Sequence, residues 1–88
     1  MAVKILYFYG PHCAPCKTVG PALDKLAQDT GVLLEKLDAE SDARVAEQYD
    51  ISALPTVLFS REGGEIVRLV GGQPPSRYRK ALEKVMQS

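Results

Sequence analysis

The chain has 88 residues, eleven Lys and Arg against eleven Asp and Glu, and a formal net charge of zero. A chain this short exposes roughly 5,100 Å² folded against roughly 13,900 Å² unfolded, which supports one core, so residues 1–88 are expected to form a single domain. Neutrality excludes a general pull toward nucleic acid or anionic membrane, and 45% hydrophobic with 25% charged residues excludes a disordered composition.

Ala2 to Tyr9 is nearly continuous β-branched and aromatic sequence, which predicts a central strand covered on both faces. Gly10-Pro11 ends it. From Ala14 to about Asp29 the residues Val19, Ala22, Leu23, Leu26 and Ala27 keep helical spacing, with Pro21 inside as a kink and Gly31 as C-terminal cap. Val32 to Leu37 reads as a second strand. Asp42 to Tyr49 reads as a short helix capped by Ser41.

Thr56 to Phe59 is the third predicted strand. Arg61-Glu62-Gly63-Gly64 turns the chain into a fourth, Ile66 to Val70. After the breakers Gly71-Gly72 and Pro74-Pro75, a last helix carries Tyr78, Ala81, Leu82 and Val85 on one face, with Ser76 as its cap. The order β-α-β-α-β-β-α predicts an α/β three-layer sandwich around a four-stranded mixed sheet. Strands separated by a helix are expected to run parallel, and the last two antiparallel.

The two cysteines, Cys13 and Cys16, enclose Ala14 and Pro15. A bridge between them closes so small a loop that it is worth only roughly 2 kcal/mol as a staple. No secretory leader pattern and no run long enough for a membrane span is visible, so the chain is expected to be cytoplasmic. There a close cysteine pair points to redox chemistry or metal. Without a G-x-G-x-x-G pattern, electrons would have to be carried by the side chains themselves or by a small cluster.

The pair falls where the first strand hands over to the first helix. The helix start favours a thiolate at Cys13, and a protonated His12 or Lys17 adds to that effect. The spacing brings the Cys16 sulfur near enough to attack a mixed disulfide on Cys13, and Pro15 limits the freedom between them. A zinc site normally takes four ligands and only His12 is near, so a metal or iron–sulfur module would need a dimer pooling two pairs. Lys17 excludes covalent haem, whose motif needs histidine after the second cysteine. The acidic run Asp38-Ala39-Glu40-Ser41-Asp42 reads as a solvated loop and helix start.

His12-Cys13-Ala14-Pro15-Cys16-Lys17 resembles the W-C-G-P-C-K site of thioredoxins. Pro21 falls where that family kinks its helix, and Tyr49-Asp50-Ile51-Ser52-Ala53-Leu54-Pro55-Thr56 resembles its Y-x-I-x-x-I-P-T segment. Val70-Gly71-Gly72 is similar to the glycine stretch lining its substrate groove, and Lys36 matches a lysine near its site. The likeness covers about Val3 to Val85 and starts at the strand leading into the cysteines, a minimal, glutaredoxin-sized form of the fold. Three departures stand out: His12 for tryptophan, Ala14 for glycine, and Tyr7 where the family carries a buried acid.

The resemblance implies a monomeric thiol–disulfide oxidoreductase without its own cofactor. Cys13 and Cys16 would be catalytic. His12, Ala14, Pro15, Leu54, a cis Pro55, Thr56, Gly71 and Gly72 would shape the substrate site, with Lys17 and Lys36 tuning its charge. The implied partners are a flavin-dependent, NADPH-using thioredoxin reductase and disulfide-containing proteins, ribonucleotide reductase among them. The alternative within the same chemistry is a glutaredoxin-like protein recycled by glutathione. Gln73-Pro74 stands against it, where glutaredoxins usually supply an acidic or hydroxyl partner for glutathione.

Overall fold

In the computed structural model, which describes residues 2–87, strand β1 (Val3–Tyr9) alternates its side chains between two cores. Ile5 and Tyr7 point one way and join Val19, Leu23, Leu26, Tyr78, Leu82 and Val85. Those partners come from α1 (Cys16–Thr30) and α3 (Pro75–Gln87). Leu6 and Phe8 point the other way and join Ala39 and Leu58, with Val45, Ala46 and Tyr49 packed against them. Val45 and Ala46 belong to α2 (Ala43–Gln48). Period-two burial of both faces is why the strand reads as an unbroken apolar run. It gives the three layers expected, and the exposed area of 5194 Å² is close to that expected for the length.

The remaining strands are β2 (Leu33–Asp38), β3 (Thr56–Arg61) and β4 (Gly64–Val70), in the sheet order β2-β1-β3-β4. β1 and β2 are parallel, with Lys4 beside Leu33 and Tyr9 beside Asp38. β4 is antiparallel to β3, and Glu62 and Gly63 turn the hairpin at φ 56° and 81°. β3, however, runs antiparallel to β1, against the expectation that a helix between strands keeps them parallel. The reason is length. Helix α2 has six residues, about 9 Å of rise against a strand of about 23 Å, so the helical part of the connection does not itself return the chain to the far end of the sheet. The chain therefore leaves the sheet at Asp38 and re-enters at Thr56, beside Phe8, at the same end.

Three helix starts differ from expectation. α1 begins at Cys16 rather than Ala14, because Cys13 to Pro15 form a separate turn. Asp42, not Ser41, caps α2 by accepting the Arg44 N–H at 3.0 Å. Ser41 is held one step earlier, its N–H bonded to the Asp38 carboxylate at 2.9 Å. α3 begins at Pro75, so Ser76 lies in its first turn instead of capping it. Proline suits a first helical position, where its missing N–H has no partner to lose. α1 continues through Pro21 and ends on Gly31, at φ 73°, whose N–H bonds Ala27 O at 2.8 Å.

Candidate active site

The end of the sheet where β1 and β2 finish and β3 begins collects the residues of interest. Cys13 and Cys16 are joined in a disulfide with Cα atoms 5.4 Å apart. Cys16 opens α1 and is 8% exposed, whereas Cys13 precedes the helix and is partly open to solvent. The N–H groups of Cys16, Lys17 and Thr18 already bond the carbonyls of Cys13, Ala14 and Pro15 at 3.1–3.2 Å. The first-turn amides are therefore not idle donors. Cys13 stands just ahead of the helix start, and Lys17 and Lys36 border the same cavity.

Pro15 and Gly72 bring a second segment against this turn. A Cβ on Gly72 would lie 3.3 Å from Pro15 Cβ, so the chain after β4 passes directly over the cysteine loop. Gly71, at φ 82°, donates its N–H to Pro55 O at 2.8 Å. The Leu54-Pro55 bond is cis, in agreement with the family likeness. Ala14, Pro15 and Gly72 are exposed, so this strip is open to a partner. Thr56 is not: it is 1% exposed and its hydroxyl donates to Ala53 O at 2.7 Å, closing the loop. Leu54 is half-buried and packs toward the α2 side of the sheet.

Beneath the disulfide lies an open cavity of about 380 Å³ bordered by Tyr7, Tyr9, Cys13, Cys16, Lys17 and Lys36, among others. The Tyr7 hydroxyl donates to Cys16 O at 3.1 Å. Burial, chiefly, pushes its pKa up to about 12, so at neutral pH it is a hydrogen-bond donor and no base. Lys36 pairs with Asp24 at 2.9 Å, a link between β2 and α1.

His12 precedes Cys13 and is gripped by Glu40 from the loop after β2. One carboxylate oxygen accepts the His12 main-chain N–H at 3.0 Å, and the other pairs with ring Nδ1. Those bonds hold the Glu40 carboxyl below the usual carboxylate range. Reading the acidic run as merely solvated overlooks this contact. In the folded sheet, extending the parallel Tyr9–Asp38 pair by two residues brings Glu40 level with Pro11, next to His12. Asp24, the partner of Lys36, was also missed, since an exposed helical carboxylate carries no signal of its own. Among the described residues, no group of three or more His, Cys, Asp or Glu side chains is placed to hold a metal ion.

The thioredoxin family model matches residues 2–87. The chain is 35% identical over 81 residues to a thioredoxin of Chlamydia trachomatis serovar D, covering 91% of this chain and 79% of that one. It is 33% identical over 81 residues to the chloroplastic M-type thioredoxin of Spinacia oleracea, covering 90% of this chain but 45% of the spinach protein. Among solved structures, a thioredoxin variant from Halobacterium salinarum NRC-1 superposes with a TM-score of 0.89 at 25% identity, over 96% of this chain and 74% of that one. A cysteine pair at the head of α1, a cis proline tied to the glycine strip beside it, and a match along nearly the whole sequence converge: the chain belongs to the thioredoxin family and is a thiol–disulfide oxidoreductase.

Proposed function

We propose that the protein reduces disulfides in other proteins, with Cys13 as the attacking sulfur and Cys16 as the resolving one. The observation that carries this is the unequal exposure of the two bonded residues: Cys16 is 8% exposed at the base of the turn, and Cys13 is partly open to solvent. The Cys13 thiolate attacks one sulfur of the substrate disulfide, the other leaves and is protonated, and a mixed disulfide remains. Deprotonated Cys16 then attacks the Cys13 sulfur, closing the internal disulfide and releasing the second substrate thiol. The substrate ends with two thiols and the protein with one disulfide.

The exposed strip from Ala14 and Pro15 across Gly72 toward Leu54 suits an extended substrate segment, which can lay its backbone alongside in the manner of an added strand. Family membership supports recycling by a flavin-dependent, NADPH-using thioredoxin reductase, which would return two electrons per cycle. It also supports ribonucleotide reductase as a client. A cytoplasmic setting suits a dithiol that must be kept reduced. Gln73 turns its side chain onto Val70 O at 3.1 Å, which leaves it poorly placed to receive glutathione.

The test is insulin reduction followed with thioredoxin reductase plus NADPH in one arm and with glutathione, glutathione reductase and NADPH in the other. Turnover in the first arm alone supports the proposal. Turnover in the second alone replaces the recycling partner, and turnover in neither removes the reductase reading.

A further inference from the structure

Every disulfide exchange moves protons, and the residue beneath the disulfide is not equipped to move them. Tyr7, with its pKa near 12, holds its proton through the neutral range. The chain has one histidine, His12, and it directly precedes the attacking sulfur. Its ring is 86% exposed, yet it is anchored, because Glu40 takes both the main-chain N–H and Nδ1. Glu40 is in turn seated. Its own N–H bonds the Asp38 carboxylate at 3.0 Å, and its side chain lies over buried Gly10, where an added methyl group would overlap its Cβ and carboxylate.

An ionised carboxylate only accepts hydrogen bonds, so the ring nitrogen facing it is the one that carries the proton. In the neutral ring the lone pair is then on Nε2, at the edge turned away from Glu40. From this geometry, we propose that Glu40 is a positioning residue that holds His12 as its Nδ1–H tautomer, so that Nε2 takes the Cys13 proton and hands it to the departing substrate sulfur. This rests on the reading of Cys13 as the attacking residue.

The proton count closes. The Cys13 thiol gives its proton to Nε2, the thiolate attacks and the S–S bond of the substrate breaks. The imidazolium then protonates the leaving thiolate, and the ring is neutral again. The logic is that of a carboxylate orienting a histidine for a nucleophile. Other charges act nearby. Asp38 lies beside Glu40, and Lys17, Lys36, Tyr7 and Tyr9 border the cavity beside Cys13, with Asp24 paired to Lys36. None of them bonds the ring.

Two readouts test the proposal. Imidazole nitrogen chemical shifts of reduced wild-type protein, at a pH where the ring is neutral, should show Nδ1 protonated and Nε2 bare, and Glu40→Gln should shift the ring toward the Nε2–H form. The rate of Cys13 alkylation by iodoacetamide, followed from pH 5 to 10 on a Cys16→Ser background, should fall roughly tenfold at neutral pH in Glu40→Gln and in His12→Gln, with the double variant no slower than either. Gly10→Ala, which displaces Glu40 without touching a polar group, should reproduce the tautomer change.

An Nε2–H ring in the wild type overturns the proposal. So does an unchanged pH profile in Glu40→Gln, or additive losses in the double variant. Alkylation needs no protein substrate, so these outcomes are separate from a failure of insulin reduction, which would instead strike the proposed function.

Discussion

The Tyr7 hydroxyl donates to the main-chain carbonyl of Cys16 across 3.1 Å, tying the central strand to the less exposed of the two bonded cysteines. The bond is buried, so its loss leaves a carbonyl that water reaches poorly. It also gives Tyr7 a scaffold role beneath the cysteine turn.

Tyr7→Phe is expected to lower stability by about 1 kcal/mol at pH 7, measured by urea unfolding of the oxidised protein. The pH dependence carries a sign. Burial raises the folded-state pKa of Tyr7 to about 12, above an unfolded value near 10. The stability it contributes is therefore complete below about pH 10 and disappears as the pH climbs toward about 12. The advantage of wild type over Tyr7→Phe should shrink across that window. A constant difference would place the phenol in a solvated setting.

In the reduced protein Cys13 is expected to alkylate first at neutral pH, with mass spectrometry locating the label. Cys16 is 8% exposed and is the first residue of α1, while Cys13 sits in the open turn before it. Faster labelling of Cys16 would exchange the two roles.

Gly72→Val is expected to reduce the rate with a protein disulfide several-fold while leaving small aromatic disulfides nearly unaffected. The new side chain would press on Pro15, already 3.3 Å from a bare Cβ, and stand in the strip proposed to hold substrate backbone. Equal losses on both substrates would point to a disturbed cysteine turn instead.

Lys36→Met is expected to change stability by less than about 1 kcal/mol, by urea unfolding. Both Lys36 and Asp24 are half exposed, and ion pairs in that setting contribute little. A larger loss would mean that the pair braces α1 against β2.

Much of this architecture is legible in the residues themselves. The unbroken run through Ile5, Leu6, Tyr7 and Phe8 announces a strand with two buried faces, and the spacing of Val19, Leu23 and Leu26 announces the inner face of α1. Less legible is whatever depends on the path between elements. The direction of β3 follows from how little chain α2 takes up, and local pattern does not weigh that. Ser41 and Ser76 are good caps by composition. The chain instead chose Asp42 because Asp38 had captured the preceding amide, and Pro75 because proline fits the first turn. Around the cysteine turn, the closeness of Cys13 and Cys16 and the cis bond before Pro55 were legible from their motifs. Glu40 was not, because its meaning comes from a register between β1 and β2 that exists only after folding.

The most direct test of the account is a trapping experiment with Cys16→Ser and Cys13→Ser, each reduced and then incubated with a disulfide-containing protein. Products are read on a non-reducing gel and identified by mass spectrometry. Without a resolving thiolate held close by, a mixed disulfide persists, since external thiols act at far lower effective concentration. The account predicts a covalent complex through Cys13 in the Cys16→Ser protein and none in Cys13→Ser. A complex formed by Cys13→Ser alone, or by neither variant, would contradict it.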